Sequence, residues 1–242
     1  MTGSLAPLER EIKKRMILYE AAVESLEAAL AAAEGGAHRI ELCPDLAHGG
    51  TTPDVQLLRA CLAQLTIPVF VLVRPRAGDF VYTDAEHRTM LKQIREAKDA
   101  GAHGIVTGPL HRLAELLEAA RPLPVTFHRA FDALPDQAQA LETLMRLGVD
   151  RVLTSGGAPT APEGAARIRQ LVEQAKGRIE ILAGGGINGE NVARLVRETG
   201  VREVHFSVKD AEKVRQVIRG SGADRGGSAA PGSKTARSDA GP

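Results

Sequence analysis

Five ionisable side chains stand inside or at the end of short apolar segments of this sequence, where charged groups are uncommon. The segments are ILYEA (17–21), GGAHRIELC (35–43), PVFVLVR (68–74), PVTFHR (124–129) and TGVREVHFS (199–207). Carboxylates and imidazoles transfer protons near neutral pH when their surroundings tune the pKa, and arginine holds carboxylates or phosphates. We therefore predict an acid–base site for a small anionic ligand, with five candidate catalytic residues: Glu20, Glu41, Arg74, His128 and His205.

Two glycine-rich turns add a candidate anion site. TSGG (154–157) follows one apolar segment, and AGGGIN (183–188) joins another segment to a helical stretch. Glycines let backbone amides approach a ligand closely, and a helix N-terminus favours negative charge. The alternative, that these glycines only permit tight turns, stays open. The residues predicted to bind an anion are two arginines and the turn residues: Arg76, Arg129, Ser155, Gly156, Gly184, Gly185 and Gly186.

The elements that must position these residues form a repeating pattern. Four times a helical stretch ends in Gly, and a short strand rich in β-branched residues follows, as in GGAHRIELC, AGAHGIVTG, LGVDRVLTSG and TGVREVHFS. Gly at a helix end adopts the left-handed conformation that lets the chain leave the helix. With four further strand candidates, the sequence predicts eight strands, each followed by an amphipathic helix.

Single strands alternating with single helices predict parallel strands joined by right-handed crossovers. Eight such units in about 200 residues favour a single (β/α)8 TIM barrel, with a doubly wound open sheet as the alternative. We assign 1–15 to an N-terminal extension, 16–220 to the barrel and 221–242 to a disordered tail rich in Gly and Ser. The active sites of such barrels lie at the carboxyl ends of the strands.

Alternation along each strand predicts which side chains enter the barrel. Ile40 and Leu42 share the face that packs on helices, which turns Glu41 inward. By the same alternation, the other four catalytic candidates are expected to face inward, all near strand carboxyl ends. Charges in such a place are costly unless they are paired. A structural ion pair between Arg74 and a glutamate is therefore the alternative to a functional site.

The composition limits the kinds of partner that the protein is expected to bind. Lys and Arg number 31 against 30 Asp and Glu, and aromatic residues make up 3%. Nucleic-acid binding is not expected without a basic surface or stacking rings, and no apolar run is long enough to span a membrane. The two cysteines form no CxxC motif, which predicts reduced thiols in a cytoplasmic protein. Oligomeric state is not readable, so a homo-oligomer stays open.

Several motifs together resemble the CutC family, the copper homeostasis protein family. They are GGAHRIELC, VRPRAGDFVYTDAE, VTFHRAFD, RVLTSGG and LAGGGI, and they run in order from about Leu18 to Ser207. The resemblance implies a (β/α)8 barrel and a role in intracellular copper handling. It also implies a cysteine shortly after the first-strand glutamate, where this chain has Ala22 in YEAAVES. Cys43 is then the one remaining match to a proposed copper-binding thiol.

Two functions therefore remain open at the level of sequence. Cu(I) prefers soft thiolates, and Cys43 is the candidate ligand, because Cys61 lies at helical spacing in a predicted core face. The other function is a metal-independent isomerase or lyase acting on a small anionic or phosphorylated metabolite. Lys209, a conceivable Schiff-base lysine, is expected to face solvent, and His87 is expected on a helix surface. A pure interaction protein is the third class, disfavoured by inward polar residues.

Overall fold

The computed structural model describes residues 16–222 as one closed parallel barrel, with strand order β1 to β8 and β8 paired back to β1. The (β/α)8 fold is thereby confirmed, and the open-sheet alternative is wrong. The predicted N-terminal extension and nearly all of the predicted tail lie outside the described residues. The strands are β1 Leu18–Val23, β2 Arg39–Leu42, β3 Val69–Leu72, β4 Gly104–Thr107, β5 Val125–Phe127, β6 Arg151–Thr154, β7 Glu180–Gly184 and β8 Glu203–Ser207.

One α-helix follows each strand. The helices are α1 Leu26–Glu34, α2 Val55–Gln64, α3 Asp84–Ala100, α4 Leu113–Ala120, α5 Gln137–Leu147, α6 Ala165–Ala175, α7 Val192–Thr199 and α8 Ala211–Ser221. Gly101, Gly148 and Gly200 end α3, α5 and α7 at φ values of 96°, 76° and 75°. This is the left-handed conformation that the repeating pattern predicted. No helix in the described part of the chain is long and apolar enough to cross a membrane.

The apolar residues form two separate layers. The larger layer packs the outer face of the strands against the helices, with Ile40, Val71 and Phe127 among its members. Inside the barrel, Phe70 and Leu72 belong to a smaller cluster with Ala22, Cys43 and Val106. Because the interior is only partly apolar, polar and charged side chains occupy the rest of it. Two short 3-10 turns, Leu46–His48 and Arg129–Ala133, follow β2 and β5 at the same end of the barrel.

Candidate active site at the barrel mouth

Three of the predicted residues meet inside the barrel. Glu20, Glu41 and His205 come from β1, β2 and β8, which are neighbours in the sheet. Glu20 is the register partner of His205, and Ala22 is that of Glu41. His205 Nδ1 lies 2.8 Å from Glu20 Oε1 and 3.5 Å from Glu41 Oε2. The imidazole therefore stands between two carboxyl groups.

A buried ion network supports this group from the amino ends of the strands. The Arg39 guanidinium donates through Nε to Glu20 and through a terminal nitrogen to Glu203 Oε2 at 2.5 Å. Arg151 Nε also donates to Glu203 Oε2, at 3.1 Å. Both guanidinium groups lie over the Phe70 ring, at 4.9 and 5.3 Å from its centroid. Glu20 thus has a cation below it and an imidazole beside it.

Burial and charge give the three groups different protonation states. Burial would raise the pKa of Glu20, but the Arg39 charge and the His205 hydrogen bond lower it to about 2. Burial opposes the His205 cation, yet the hydrogen bond to Glu20 and the charges of both glutamates raise its pKa. Burial also raises the pKa of Glu41 to about 7, against the opposing His205 charge. At neutral pH, Glu20 is a carboxylate, the charged form of His205 is favoured, and the Glu41 carboxyl group is close to its own pKa.

A cavity of about 390 Å³ opens at the carboxyl ends of the strands. Glu41 and His205 line it, whereas Glu20 does not and is fully buried. The expectation that Glu20 lies near a strand end was wrong. It is the third residue of the six-residue strand β1, and its carboxylate is taken up by Arg39 and His205 below the cavity. Glu20 is therefore connected to the cavity through His205.

Arg74 and His128 also line the cavity, but they pair with neither glutamate. The Arg74 guanidinium donates to the carbonyl oxygens of His48, Gly50 and Gly78 at 3.0, 2.9 and 2.8 Å. The proposed ion pair of Arg74 with a glutamate is therefore absent among the described residues, because Arg39 takes that role. His128 Nδ1 accepts a hydrogen bond from the amide of Ala130 at 3.1 Å.

Three of the seven predicted anion-binding residues line the cavity: Arg129, Gly185 and Gly186. Arg129 donates to Asp132 and, at 2.7 Å, to Ser155 Oγ. A Cβ atom on Gly185 would lie 3.1 Å from Arg129 Nη1, so the guanidinium lies against this turn. The amides of Gly186 and Ile187 donate to no other residue within 16–222. Both residues line the cavity.

The other four predicted anion-binding residues have different surroundings. Arg76 binds Glu86 Oε1 at 2.5 Å and Asp79 at 3.0 Å, so it belongs to the loop after β3. Ser155 is buried, and its hydroxyl donates to the Ala158 carbonyl at 2.6 Å. Gly156 packs against the Gly164 backbone, and Gly184 leaves room for Leu153 and His205. These four shape the loops and the barrel wall instead of lining the cavity, namely Arg76, Ser155, Gly156 and Gly184.

Phe80 and Lys213 are among the cavity residues that were not predicted from the sequence. Phe80, in the loop after β3, packs on the His128 ring at 4.8 Å between centroids. Lys213 lies in the first turn of α8 and lines the cavity. Strand alternation could not find either one, because they lie outside the strands. Lys209 is exposed and does not line the cavity, as expected.

With this geometry in view, comparison with known proteins gives a clear relationship. The sequence model of the CutC family matches residues 17–210. The chain belongs to the CutC family. A mouse protein named copper homeostasis protein cutC homolog is 46% identical over 221 residues, which cover 88% of this chain and 81% of the mouse protein. A CutC family protein of Bacteroides fragilis is 42% identical over 87% of each chain.

Solved structures agree. The CutC structure from Streptococcus agalactiae is 37% identical with a TM-score of 0.75, and the match covers 78% of this chain and 98% of that one. N-(5'-phosphoribosyl)anthranilate isomerase from Pyrococcus furiosus has a TM-score of 0.57 at 16% identity, covering 86% of this chain and all of that one. The second likeness shows the barrel fold alone.

The names of the CutC relatives point to copper, and Cys43 is the thiol that the cavity offers to such a metal. Cu(I) takes soft thiolates, and Cys43 lines the cavity beside Ala22. Burial, reinforced by the Glu41 charge, raises the pKa of the Cys43 thiol well above its usual range, so a thiolate is disfavoured. Cys61 is fully buried on α2, as predicted. The chain therefore lacks the paired thiolates that suit Cu(I).

Nitrogen and oxygen atoms that could bind a metal ion do come together in one group. One ligand atom each of Glu20, Glu41 and His205 lies within 4.8 Å of the others, near enough to hold a metal ion. However, Arg39 and His205 already bind the Glu20 carboxylate, and the guanidinium places a positive charge next to it. The donor set of the CutC-family barrel thus fits proton exchange better than copper.

Proposed function

We propose that this CutC-family protein is an acid–base enzyme, of isomerase or lyase type, that acts on a small anionic metabolite at the mouth of its barrel. One observation carries the proposal. The Glu41 carboxyl group and the His205 imidazole lie side by side, 3.5 Å apart, on the wall of one cavity. Proton transfer is most efficient when the pKa of the catalytic group lies near the working pH. Glu41, with a pKa of about 7, meets that condition.

The roles follow from the charges. Glu41 in its carboxylate form takes a proton from the substrate, and protonated His205 returns one. Glu20 is a positioning residue, because its hydrogen bond to Nδ1 fixes the ring and keeps the imidazole charged. Arg39 in turn keeps Glu20 ionised. Substrate reaches Glu41 and His205 but not Glu20 or Arg39, which do not line the cavity.

An anionic substrate is supported by other residues that line the cavity. Arg129 and Lys213 bring positive charge to it, and the amides of Gly186 and Ile187, which donate to no residue within 16–222, add hydrogen-bond donors. Loops after the seventh and eighth strands bind phosphate in many barrels of this kind. A cavity of about 390 Å³ accommodates a small metabolite. The substrate class is therefore a phosphorylated or carboxylated small molecule.

Hydrogen–deuterium exchange tests the proposal without knowledge of the product. Wild-type protein is incubated in D2O with a panel of phosphorylated and carboxylated metabolites, and deuterium at carbon is measured by mass spectrometry. We expect exchange into at least one compound, and its loss in Glu41→Gln. The matched control is Glu27→Gln, the same chemical change on the exposed surface of α1. Exchange that persists in Glu41→Gln, or is absent from the whole panel, contradicts the proposal.

Copper binding is the second candidate, favoured by the names of the relatives and by Cys43 on the cavity wall. Its test is an anaerobic competition titration with Cu(I) on the wild type and on Cys43→Ser. A stoichiometric site that the variant loses supports copper binding. Weak and equal binding by both proteins rejects it. A cytoplasmic location, supported by the two free cysteines, is part of either proposal and is tested by cell fractionation.

A further inference from the structure

Two hydrogen-bond donors at the cavity have no acceptor. His128 Nε2 and Arg74 Nε are both buried, and neither finds a partner among residues 16–222. Their side chains are 4% and 5% exposed. A buried donor without an acceptor costs about 1–3 kcal/mol, so proteins rarely keep two of them together. Such atoms point to an acceptor that a ligand supplies.

The tautomer of His128 follows from geometry. The Ala130 amide donates to Nδ1, so Nδ1 carries the lone pair and the ring hydrogen lies on Nε2. Burial, together with the Arg74 charge, lowers the pKa of His128 to about 3. The ring is thus neutral at physiological pH and presents a fixed N–H donor.

Arg74 is held just as firmly. Its two terminal nitrogens bind the carbonyl oxygens of His48, Gly50 and Gly78. Those bonds fix the guanidinium, and Nε–H has no acceptor among the described residues. The Phe80 ring packs on both side chains. Its centroid lies 5.1 Å from the guanidinium carbon of Arg74 and 4.8 Å from the imidazole centroid of His128.

We infer that His128 Nε2–H and Arg74 Nε–H bind the carbonyl oxygen of the substrate, so that the reaction is proton transfer at the carbon next to a carbonyl group. This inference rests on the proposed function and names its substrate class: an α-hydroxy aldehyde or ketone that carries a phosphate or carboxylate. A neutral imidazole is suited to this role, since its hydrogen bond strengthens as negative charge develops on the oxygen.

The chemistry balances without a further reactant. The Glu41 carboxylate takes the proton of the carbon next to the carbonyl, and the electron pair of that C–H bond forms a carbon–carbon double bond. The carbonyl π pair moves to oxygen, giving an enediolate held by the two donors. Return of a proton to the other carbon, and movement of the hydroxyl proton to the first oxygen, gives the isomer. Nothing is oxidised or reduced overall.

Phe80 packs on the side chains of both donors in this structure. Both nitrogen atoms are shielded from solvent, so we expect the ring to move when a ligand binds. Phe80 also lines a second cavity of about 610 Å³, whose walls include Val81, Tyr82 and Leu134. That apolar cavity gives the ring a place to move into.

The experiment uses phosphoglycolohydroxamate, whose hydroxamate oxygens copy an enediolate, and glycerol 3-phosphate, which has the phosphate but no carbonyl. We expect nitrogen-15 spectra of the free protein to show His128 as the Nε2–H tautomer from pH 5 to pH 8. The Nε2–H proton should shift on addition of the hydroxamate and stay in place with glycerol 3-phosphate. An Nδ1–H tautomer, or no binding of the hydroxamate, overturns the inference.

Two variants distinguish the loss of the N–H donor from damage to the fold. His128→Leu removes the N–H and should weaken hydroxamate binding about tenfold, with glycerol 3-phosphate unchanged. His128→Gln keeps an N–H donor and should retain most of the affinity. Equal losses for both ligands overturn the inference. Because the sequence contains no tryptophan, Phe80→Trp adds a single fluorescent reporter, which should respond to the hydroxamate more than to glycerol 3-phosphate.

Deuterium exchange then distinguishes failure of the carbonyl site from failure of the proposed acid–base enzyme. If Glu41-dependent exchange occurs and His128→Leu keeps the wild-type rate, the carbonyl site is wrong and the acid–base enzyme stands. If no compound exchanges but His128 still responds to the hydroxamate, the enzyme is wrong and the donor pair is a binding site. If both hold, loss of this donor should slow exchange about 100-fold.

Discussion

His205 Nδ1 and Glu20 Oε1 lie 2.8 Å apart on register-paired positions of β8 and β1, and only the histidine faces the cavity. The glutamate thus favours the charged form of a residue that lines the cavity, although it does not line the cavity itself. It is held in place by Arg39. The pair makes the His205 side chain sensitive to a residue buried below it.

Replacement of Glu20 by Gln should therefore lower the pKa of His205 and destabilise the fold. The pKa of Glu20 is about 2 in the folded protein, against an ordinary value of 4.5. A lowered pKa contributes stability that is present above pH 4.5 and is lost as the pH falls towards 2. Glu20→Gln should cost about 3 kcal/mol at pH 7, and the difference from wild type should shrink at pH 4.

Urea unfolding at both pH values measures the change in stability, and proton NMR of the histidine C2–H follows the pKa. Glu118→Gln on the surface of α4 is the control and should match wild type, because the Glu118 side chain is 83% exposed. An unchanged His205 titration in Glu20→Gln would show that the carboxylate does not set the charge of the ring.

The contribution of Glu41 to the stability of the fold should change with pH in the opposite direction to that of Glu20. Its pKa is raised from 4.5 to about 7 by burial. A raised carboxyl pKa contributes stability that is fully present below pH 4.5 and is lost as the pH rises through 7. Wild type should thus lose about 3 kcal/mol between pH 4.5 and pH 8 from this group, and Glu41→Gln should lose far less. Urea unfolding at pH 5 and pH 8 compares the two; parallel losses would refute the shift.

The alternation of strands with helices was enough to predict the fold. The alternation of side chains along each strand predicted the inward direction of Glu41, Arg74, His128 and His205. It could not predict depth, because a residue's height in a barrel depends on the stagger between strands. Glu20 therefore lies below the cavity instead of at its rim.

The alternation of side chains along each strand could also have predicted the ion network below the site. Arg39 shares its face with Glu41, and Glu203 shares its face with His205, two residues apart in each strand. Their pairing joins positions 164 residues apart in the sequence, which only strand order can bring together.

His87, expected on a helix surface, is buried, and its Nε2 lies 3.1 Å from Glu115 Oε2. Periodicity alone did not reveal that contact between α3 and α4.

Gly104 is predicted to be essential for the floor of the barrel. A Cβ atom there would lie 2.5 and 2.6 Å from Cε2 and Cε1 of Phe70, whose ring supports Arg39 and Arg151. Gly104→Ala should destabilise the fold by about 1–3 kcal/mol. Phe70→Leu removes the clashing ring atoms, so the double variant should be less destabilised than the sum of the single changes. Urea unfolding of all four proteins gives the coupling, and simple additivity would contradict the contact.

The two thiols should be unreactive in the folded protein. Both cysteines are buried and free. Burial raises the pKa of Cys61 to about 11 and that of Cys43 well above its usual range, so little thiolate forms at pH 8. Ellman's reagent should react slowly with native protein and rapidly with both thiols in urea. Fast reaction of Cys43 in the native state, lost in Cys43→Ser, would indicate an accessible thiolate and favour the copper candidate.

Two lysines near α8 give a matched test of the anion site. Lys213 lines the cavity, whereas Lys209, four residues earlier, is exposed outside it. If an anion binds between Arg129 and the amides of Gly186 and Ile187, inorganic phosphate should raise the melting temperature of wild type and of Lys209→Ala alike. Lys213→Ala should need about tenfold more phosphate for the same shift, the loss expected for one charged hydrogen bond. Equal shifts in the two variants would place the bound phosphate elsewhere on the surface, and no shift in wild type would remove the anion site from the proposal.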